Sequence, residues 1–170
     1  NKQFDIIESV GVLHHMDSPM AGWQVLTDCL KPGGLMKIGL YSELARQHIV
    51  QIRQEIKEIG MGSSKSEMRS FRDMIMKSEK EHHKQVLRFA DFFNTSDLKD
   101  LLFHVQEHRF TIPLIKDCLE KLGLRFCGFE AKKIISHFQE TNKNIGAPYD
   151  LDQWKEYELA NPRAFAGMYQ

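Results

Sequence analysis

The chain has 170 residues and a mass of 19.8 kDa, which is enough for one domain with a helical appendage and too little for two full domains. Lysine plus arginine and aspartate plus glutamate each total 23, so the net charge is zero, which argues against a nucleic-acid-binding platform. No apolar run approaches the roughly 18 residues of a membrane helix, and the amino terminus has no signal-peptide pattern. Three cysteines, Cys29, Cys118 and Cys127, have no paired spacing. These features predict a cytoplasmic protein with reduced thiols that does not span a membrane.

A strand is predicted almost at the start of the chain, over residues 4 to 10, which are largely apolar and β-branched. Natural domains seldom have a strand with only two or three residues ahead of it, so we expect the chain to be a fragment of a longer protein. A second strand is predicted over residues 35 to 40. The helix between them is capped by Asp17 or Ser18 and ended by the Lys-Pro-Gly-Gly run at residues 31 to 34. Together these elements predict a βαβ unit with a parallel sheet covered on both faces.

The next segment changes to a helical period, with an apolar stripe at Ala45, Ile49, Ile52, Ile56 and Ile59. We expect this helix to cover the sheet. Capping-box spacing pairs Ser64 with Glu67 and Ser78 with Glu81, which predicts two helices over residues 65 to 90. Residues 61 to 103 are unusually rich in aromatic side chains and methionine. They are predicted either to form a lid over a substrate site or to pack on themselves.

The remainder of the chain is predicted to contain a strand and three helices, the last of them a short helix from Leu151. A cap at residues 94 to 97 opens one helix that runs to about His104, and Thr111 opens another that runs to Gly123. Residues 124 to 130 alternate between apolar and polar side chains, as a strand does.

Two sequence stretches, FDIIESVGVLHHM at residues 4 to 16 and LKPGGLMKIGLYS at residues 30 to 42, resemble the second half of a class I S-adenosylmethionine-dependent methyltransferase. In that family the fourth strand starts with Phe-Asp and ends in a short polar segment beside the cofactor. A Leu-His-His turn, a helix and Leu-Lys-Pro-Gly-Gly then precede the fifth strand. Residues 107 to 130 and 151 to 170 are similar to a bacterial subgroup whose methyltransferase domain is often joined to tetratricopeptide repeats. The resemblance covers nearly the whole chain.

The resemblance implies an α/β fold with a partial Rossmann-like methyltransferase sheet, strands four to six of the family, and a helical insertion. Within this single-domain fragment, residues 1–59 and 109–135 would form the sheet-and-helix part. Residues 60–108 would form the insertion or lid, and residues 136–170 a carboxy-terminal tail with a truncated last strand. The family's glycine-rich loop and ribose-binding acid would lie upstream of Asn1. The isolated fragment is therefore expected to be inactive.

The implied function is methyl transfer from S-adenosylmethionine to an unidentified acceptor in the full-length parent, which would also carry a tetratricopeptide-repeat neighbour. Open parallel sheets bind ligands beyond the carboxyl ends of their strands, so Glu8, Ser9 and Val10 are candidate cofactor contacts. The family turn adds His15 to the cofactor contacts, and Tyr41, just past the second strand, is a candidate wall of the acceptor site. A strand end bonded to its own loop, a capping histidine and a packing tyrosine are the structural alternatives. No residue is identified as catalytic.

Two other functions stay open. The first is a non-catalytic methyltransferase-like domain that binds or regulates a partner. The second is zinc hydrolysis, because His104, Glu107 and His108 fit the pattern H-x-x-E-H, although the helix is expected to end near His104. The pair His82 and His83 lies in a charged run and is predicted to be a solvated helix face, so no metal ligands are assigned. The apolar edge of the first strand predicts self-association of the fragment.

Overall fold

A computed structural model describes residues 3–103 and 107–170. Within these ranges the fold is α/β, with two strands and eight α-helices. The strands are β1 (Phe4–Val10) and β2 (Leu30–Gly39), and the helices are α1 (Pro19–Cys29), α2 (Gln47–Glu58), α3 (Lys65–Met76), α4 (Glu81–Val86), α5 (Thr95–Phe103), α6 (Ile112–Leu122), α7 (Lys132–Thr141) and α8 (Leu151–Ala160). The chain divides into a first unit, Asn1–Ala45 with Gln106–Gln170, and a second unit, Arg46–Val105. None of the described helices combines the length and the apolar character needed to cross a membrane.

The first unit contains the predicted βαβ arrangement, in which β1 and β2 pair in parallel. Regular pairing starts at Ile6 opposite Leu35 and continues to the ends of both strands. Residues 31 to 34 are predicted as a turn before the second strand. In the structure β2 already begins at Leu30, and these residues form an irregular stretch inside it. The prediction that both faces of the sheet are covered is wrong for the described residues, since the side chains of Ile6 and Leu35 are 71% and 60% exposed.

The third predicted strand, over residues 124 to 130, does not form. Burial still alternates along this segment, with Phe126 turned partly inward and Cys127 outward. Gly128 has a φ of +115°, a conformation outside the β region, which interrupts the extended backbone. The described sheet therefore has two strands rather than the three that the family resemblance implied.

Local capping signals are confirmed at three helices. The Ser18 hydroxyl accepts the N–H of Ala21 at the start of α1, and Thr111 caps α6 in the same way. Ser64 and Glu67 form the predicted capping box of α3. Gly123 ends α6 in the left-handed conformation, with a φ of +64°.

The core of the first unit is dominated by aromatic side chains from the second half of the chain, namely Phe110, Phe129, Phe138, Trp154, Tyr157, Phe165 and Tyr169. Trp154 is fully buried and stacks on Phe138 with 3.8 Å between ring centroids. Tyr169 exchanges two backbone hydrogen bonds, of 2.9 and 2.8 Å, with Leu40 just after β2. Residues 136–170, predicted as a tail, thus supply much of this core because α7 and α8 present their aromatic faces to it.

The second unit has a hydrophobic core of its own, formed by Ile49, Ile52, Ile56, Met68, Phe71, Ile75, Val86, Phe92, Leu98, Leu101 and Leu102. The expectation that the apolar stripe of α2 covers the sheet is wrong, because α3, α4 and α5 supply the apolar surfaces against which that stripe is buried. The unit therefore begins at Arg46 rather than at residue 60. Within residues 61 to 103 the described helices pack on one another.

Helix α4 differs from its prediction in two respects, its capping box and the burial of its histidines. The Ser78–Glu81 capping box does not form, because α4 starts at Glu81 and the Ser78 hydroxyl accepts the N–H of Lys80 instead. His83 is buried rather than solvated, and it contacts the Glu55 carboxylate of α2. Burial alone would raise the pKa of Glu55, but hydrogen bonds from Lys80 and the two histidines of α4 lower it to about 2.

Candidate functional site

The predicted cofactor contacts at the end of β1 have different surroundings. Ser9 is buried and Val10 is half-buried, whereas Glu8 points into solvent. Glu8 follows a largely apolar run, which predicts that its carboxylate is buried and needs a partner. It is exposed and lies 3.3 Å from the ammonium of Lys37, which also binds the Glu130 carboxylate at 2.8 Å. The carboxylates of Glu130 and Glu8 raise the pKa of Lys37.

The turn after β1 brings His15 close to Tyr41. A short 3-10 helix over Leu13–His15 buries His14, whose imidazole stacks on Tyr41 with 3.9 Å between ring centroids. His15 packs edge-on against His14 at 4.4 Å and lies 6.1 Å from the Tyr41 ring. The two predicted contacts therefore share one aromatic cluster. Sequence reasoning missed His14 as its centre, although it lies in the Leu-His-His signature of the turn.

The backbone next to Tyr41 is fixed by residues 107 to 110. The carbonyl of Tyr41 accepts the N–H of Phe110 at 2.8 Å, and the carbonyl of His14 accepts the N–H of His108 at 2.8 Å. The Arg109 guanidinium donates to the Glu43 carboxylate at 2.8 Å, which strengthens this connection with charge. The turn and the end of β2 are thus held by the same segment.

The zinc-hydrolase pattern consists of His104, Glu107 and His108. His104 lies outside the described residues, whereas Glu107 and His108 are described. Glu107 and His108 follow the end of α5 and are not helical. The Glu107 side chain is 1% exposed and lies 3.7 Å from Arg109. This contact joins two residues of the segment that also carries the backbone hydrogen bond to His14.

A buried polar network that sequence reasoning missed lies directly after Tyr41. The carboxylate of Glu158, on α8, accepts hydrogen bonds from the Ser42 hydroxyl at 2.8 Å and from the Tyr169 hydroxyl at 2.6 Å. Ser42 in turn accepts the N–H of Ala45 at 3.0 Å. Burial raises the pKa of Glu158 despite these two hydrogen bonds, and it also raises the pKa of Tyr169. The network fixes the position at which the chain leaves β2.

A groove of the first unit does not coincide with this cluster. It has a volume of about 650 Å³ and lies between β2 and residues 124 to 130. Its apolar lining includes Trp23, Ile38 and Phe126, and it reaches the site region through Leu40 and Tyr169. None of His14, His15 and Tyr41 lines it. The candidate site is the carboxyl edge of β1 and β2, where the rings of His14, His15 and Tyr41 form one cluster.

Comparison with known proteins finds similarity to an uncharacterized protein and no matching family model. No protein-family model matches the chain. The chain is similar to an uncharacterized protein of Synechococcus sp. (strain ATCC 27144 / PCC 6301 / SAUG 1402/1), with 29% identity over 136 residues. The match covers 75% of this chain and 32% of the relative, so the chain spans about a third of that protein's length. The relative's name states no activity, and the functional argument rests on the residues themselves.

Proposed function

We propose that the protein to which this chain belongs transfers a methyl group from S-adenosylmethionine to an acceptor. The observation that carries the proposal is the parallel β1–α1–β2 unit, whose carboxyl edge carries the Leu13–His15 turn packed against Tyr41. This edge is where open α/β sheets bind their ligands. The resemblance of residues 4 to 16 and 30 to 42 to the methyltransferase family supports the same reaction.

The residues of this edge would act mainly by positioning. S-adenosylmethionine supplies an activated methyl group on a sulfonium, so an in-line arrangement provides much of the rate. Glu8, Ser9 and Val10, with His15, would line the cofactor side, and Tyr41 would form a wall on the acceptor side. A tyrosine hydroxyl or an imidazole can also hold or move a proton if the acceptor must lose one.

A second candidate function is supported by the groove between β2 and residues 124 to 130. Its size suits a ligand or a peptide, and it lies apart from His15 and Tyr41. A non-catalytic methyltransferase-like domain that binds or regulates a tetratricopeptide-repeat neighbour would use such a groove.

The exposed apolar side chains of Ile6 and Leu35 support self-association of the isolated chain.

The test is a calorimetric titration of the full-length protein with S-adenosylhomocysteine, the reaction product. We expect saturable binding, and we expect His15→Ala to weaken it about tenfold, the loss of roughly 1.4 kcal/mol that one good contact provides. His137→Ala is the matched control, because His137 is an exposed histidine on α7 and should leave the affinity unchanged. Equal affinity of His15→Ala and wild type would remove His15 from the site. Absence of binding by the full-length wild type would favour the non-catalytic domain.

A further inference from the structure

Three side chains with metal-binding atoms converge in the second unit. Glu55 lies on α2, and His82 and His83 are neighbours on α4. The two carboxylate oxygens of Glu55 lie 2.8 Å from Nε2 of His82 and 2.7 Å from Nε2 of His83. One ligand atom from each residue can be chosen so that all three lie within 4.8 Å of one another. Ligand atoms around a tetrahedral zinc ion are roughly 3.3 Å apart, so each Glu55–histidine contact would lengthen by about half an ångström, and the other pairs of ligand atoms start from within 4.8 Å of one another.

The three side chains differ in burial, because His83 is enclosed whereas Glu55 and His82 are partly exposed. The His83 side chain is 2% exposed, and its Nδ1 atom has no hydrogen-bond partner in the described structure. Its interaction with Glu55 is thus the one directional polar contact of a buried imidazole, which places Nε2 at the carboxylate. Glu55 and His82 are 22% and 20% exposed. An ion therefore has access from solvent and keeps a position open for water.

The ammonium of Lys80 is the group that a metal ion would displace. Its Nζ atom lies 2.8 Å from the same Glu55 oxygen that contacts His82. The Lys80 side chain is 58% exposed, so its flexible stem can turn into solvent at small cost. A divalent ion that replaces this single positive charge gains coordination by two imidazoles that are already in place.

We propose that Glu55, His82 and His83 bind a divalent transition-metal ion of the zinc type, and that Lys80 competes with the ion for the carboxylate. Two imidazoles and one carboxylate are a ligand set that suits Zn²⁺, and three protein ligands leave the fourth position to solvent. Metal binding would join α2 to α4 and stabilise the second unit. The proposal is independent of methyl transfer, because its residues belong to a different unit.

The proposal is tested by calorimetric titration of the full chain with Zn²⁺ alone, with the visible absorption of bound Co²⁺ as a second readout. We expect one saturable site in the wild type. His82→Ala and Glu55→Gln should each weaken binding roughly 100-fold, because each removes a direct ligand. Lys80→Gln should tighten binding, since it removes the competing ammonium. His137→Ala removes a histidine of the first unit and should bind as the wild type does.

Circular dichroism checks the fold of each variant, and His83 is left unchanged because of its burial. Lys80→Gln changes a mainly exposed side chain, so its effect stays measurable even if another variant fails to fold. Zn²⁺ should also raise the thermal midpoint of the wild type but not that of His82→Ala. The proposal is overturned if the wild type shows no saturable binding, if His82→Ala and Glu55→Gln bind as tightly as the wild type, or if Lys80→Gln weakens binding.

Discussion

Replacement of Trp154 by alanine is expected to lower the free energy of unfolding of the first unit by about 3–5 kcal/mol. The indole is fully buried, stacks on Phe138 of α7 and packs edge-on against Phe129 at 5.1 Å. Its Nε1 atom donates a hydrogen bond to the carbonyl of Pro148 at 3.0 Å. One side chain thus joins α8, α7 and the segment before α7, and its removal leaves a cavity with an unsatisfied carbonyl.

Urea unfolding followed by the fluorescence of Trp23 measures this effect, because the chain has two tryptophans and Trp23 is the one that remains. The matched control is Leu159→Ala, a large apolar side chain on the same helix that is 57% exposed. We expect that substitution to change the free energy of unfolding by less than about 0.5 kcal/mol. Similar unfolding midpoints for the two variants would contradict the central position of Trp154.

Replacement of Glu158 by alanine is the second substitution with a large expected effect, about 2–4 kcal/mol of destabilisation. The change removes the shared acceptor of the Ser42 and Tyr169 hydroxyls, both of which are buried. Each hydroxyl would then lack its acceptor in a place that water does not reach. Glu158→Gln is the control, because its amide oxygen can accept both hydrogen bonds. Chemical unfolding at neutral pH should therefore rank wild type and Glu158→Gln well above Glu158→Ala.

The pH dependence of the stability of the wild type and of Glu158→Gln tests the electrostatic part of the network. Burial raises the pKa of Glu158 in the folded state, so folding favours its protonated form. Its contribution to stability is complete below the pKa of the unfolded chain and is lost as the pH rises through the folded pKa. We expect the stability of the wild type relative to Glu158→Gln to fall from acid to neutral pH. A stability difference between the wild type and Glu158→Gln that is constant or grows with pH would contradict the raised pKa of Glu158.

The features that the sequence predicted correctly depend on residues that lie close together in the sequence. The Ser64–Glu67 capping box needs only a spacing of three residues, and Thr111 and Gly123 mark the two ends of α6 through local backbone preferences. The parallel βαβ unit follows from two short apolar runs with a helix between them. The sequence indicates His15 and Tyr41 as separate candidates, and the structure places their rings 6.1 Å apart at the carboxyl edge of this unit.

The features that the sequence did not predict depend on distant partners. Ser42 and Glu158 are separated by 116 positions, and no local pattern pairs them. His83 lies in a charged run that is typical of a solvated helix, and Glu55 from another helix changes its surroundings. The apolar stripe of α2 indicates that one face is buried, but a stripe cannot show which elements cover it. The alternating pattern of residues 124 to 130 predicts which side chains turn inward, yet strand formation also needs a neighbouring ladder.

The division of the chain into two units has a consequence for its synthesis on the ribosome. The second unit is continuous in sequence, so it can fold as soon as its last helix has emerged. The first unit must wait, because Leu13 and Trp23 are buried in a core with aromatic side chains that are translated after the second unit. Until then β1 and its apolar side chains stay open to other nascent chains and to chaperones. The first unit is therefore completed only after the second unit, which interrupts it in sequence.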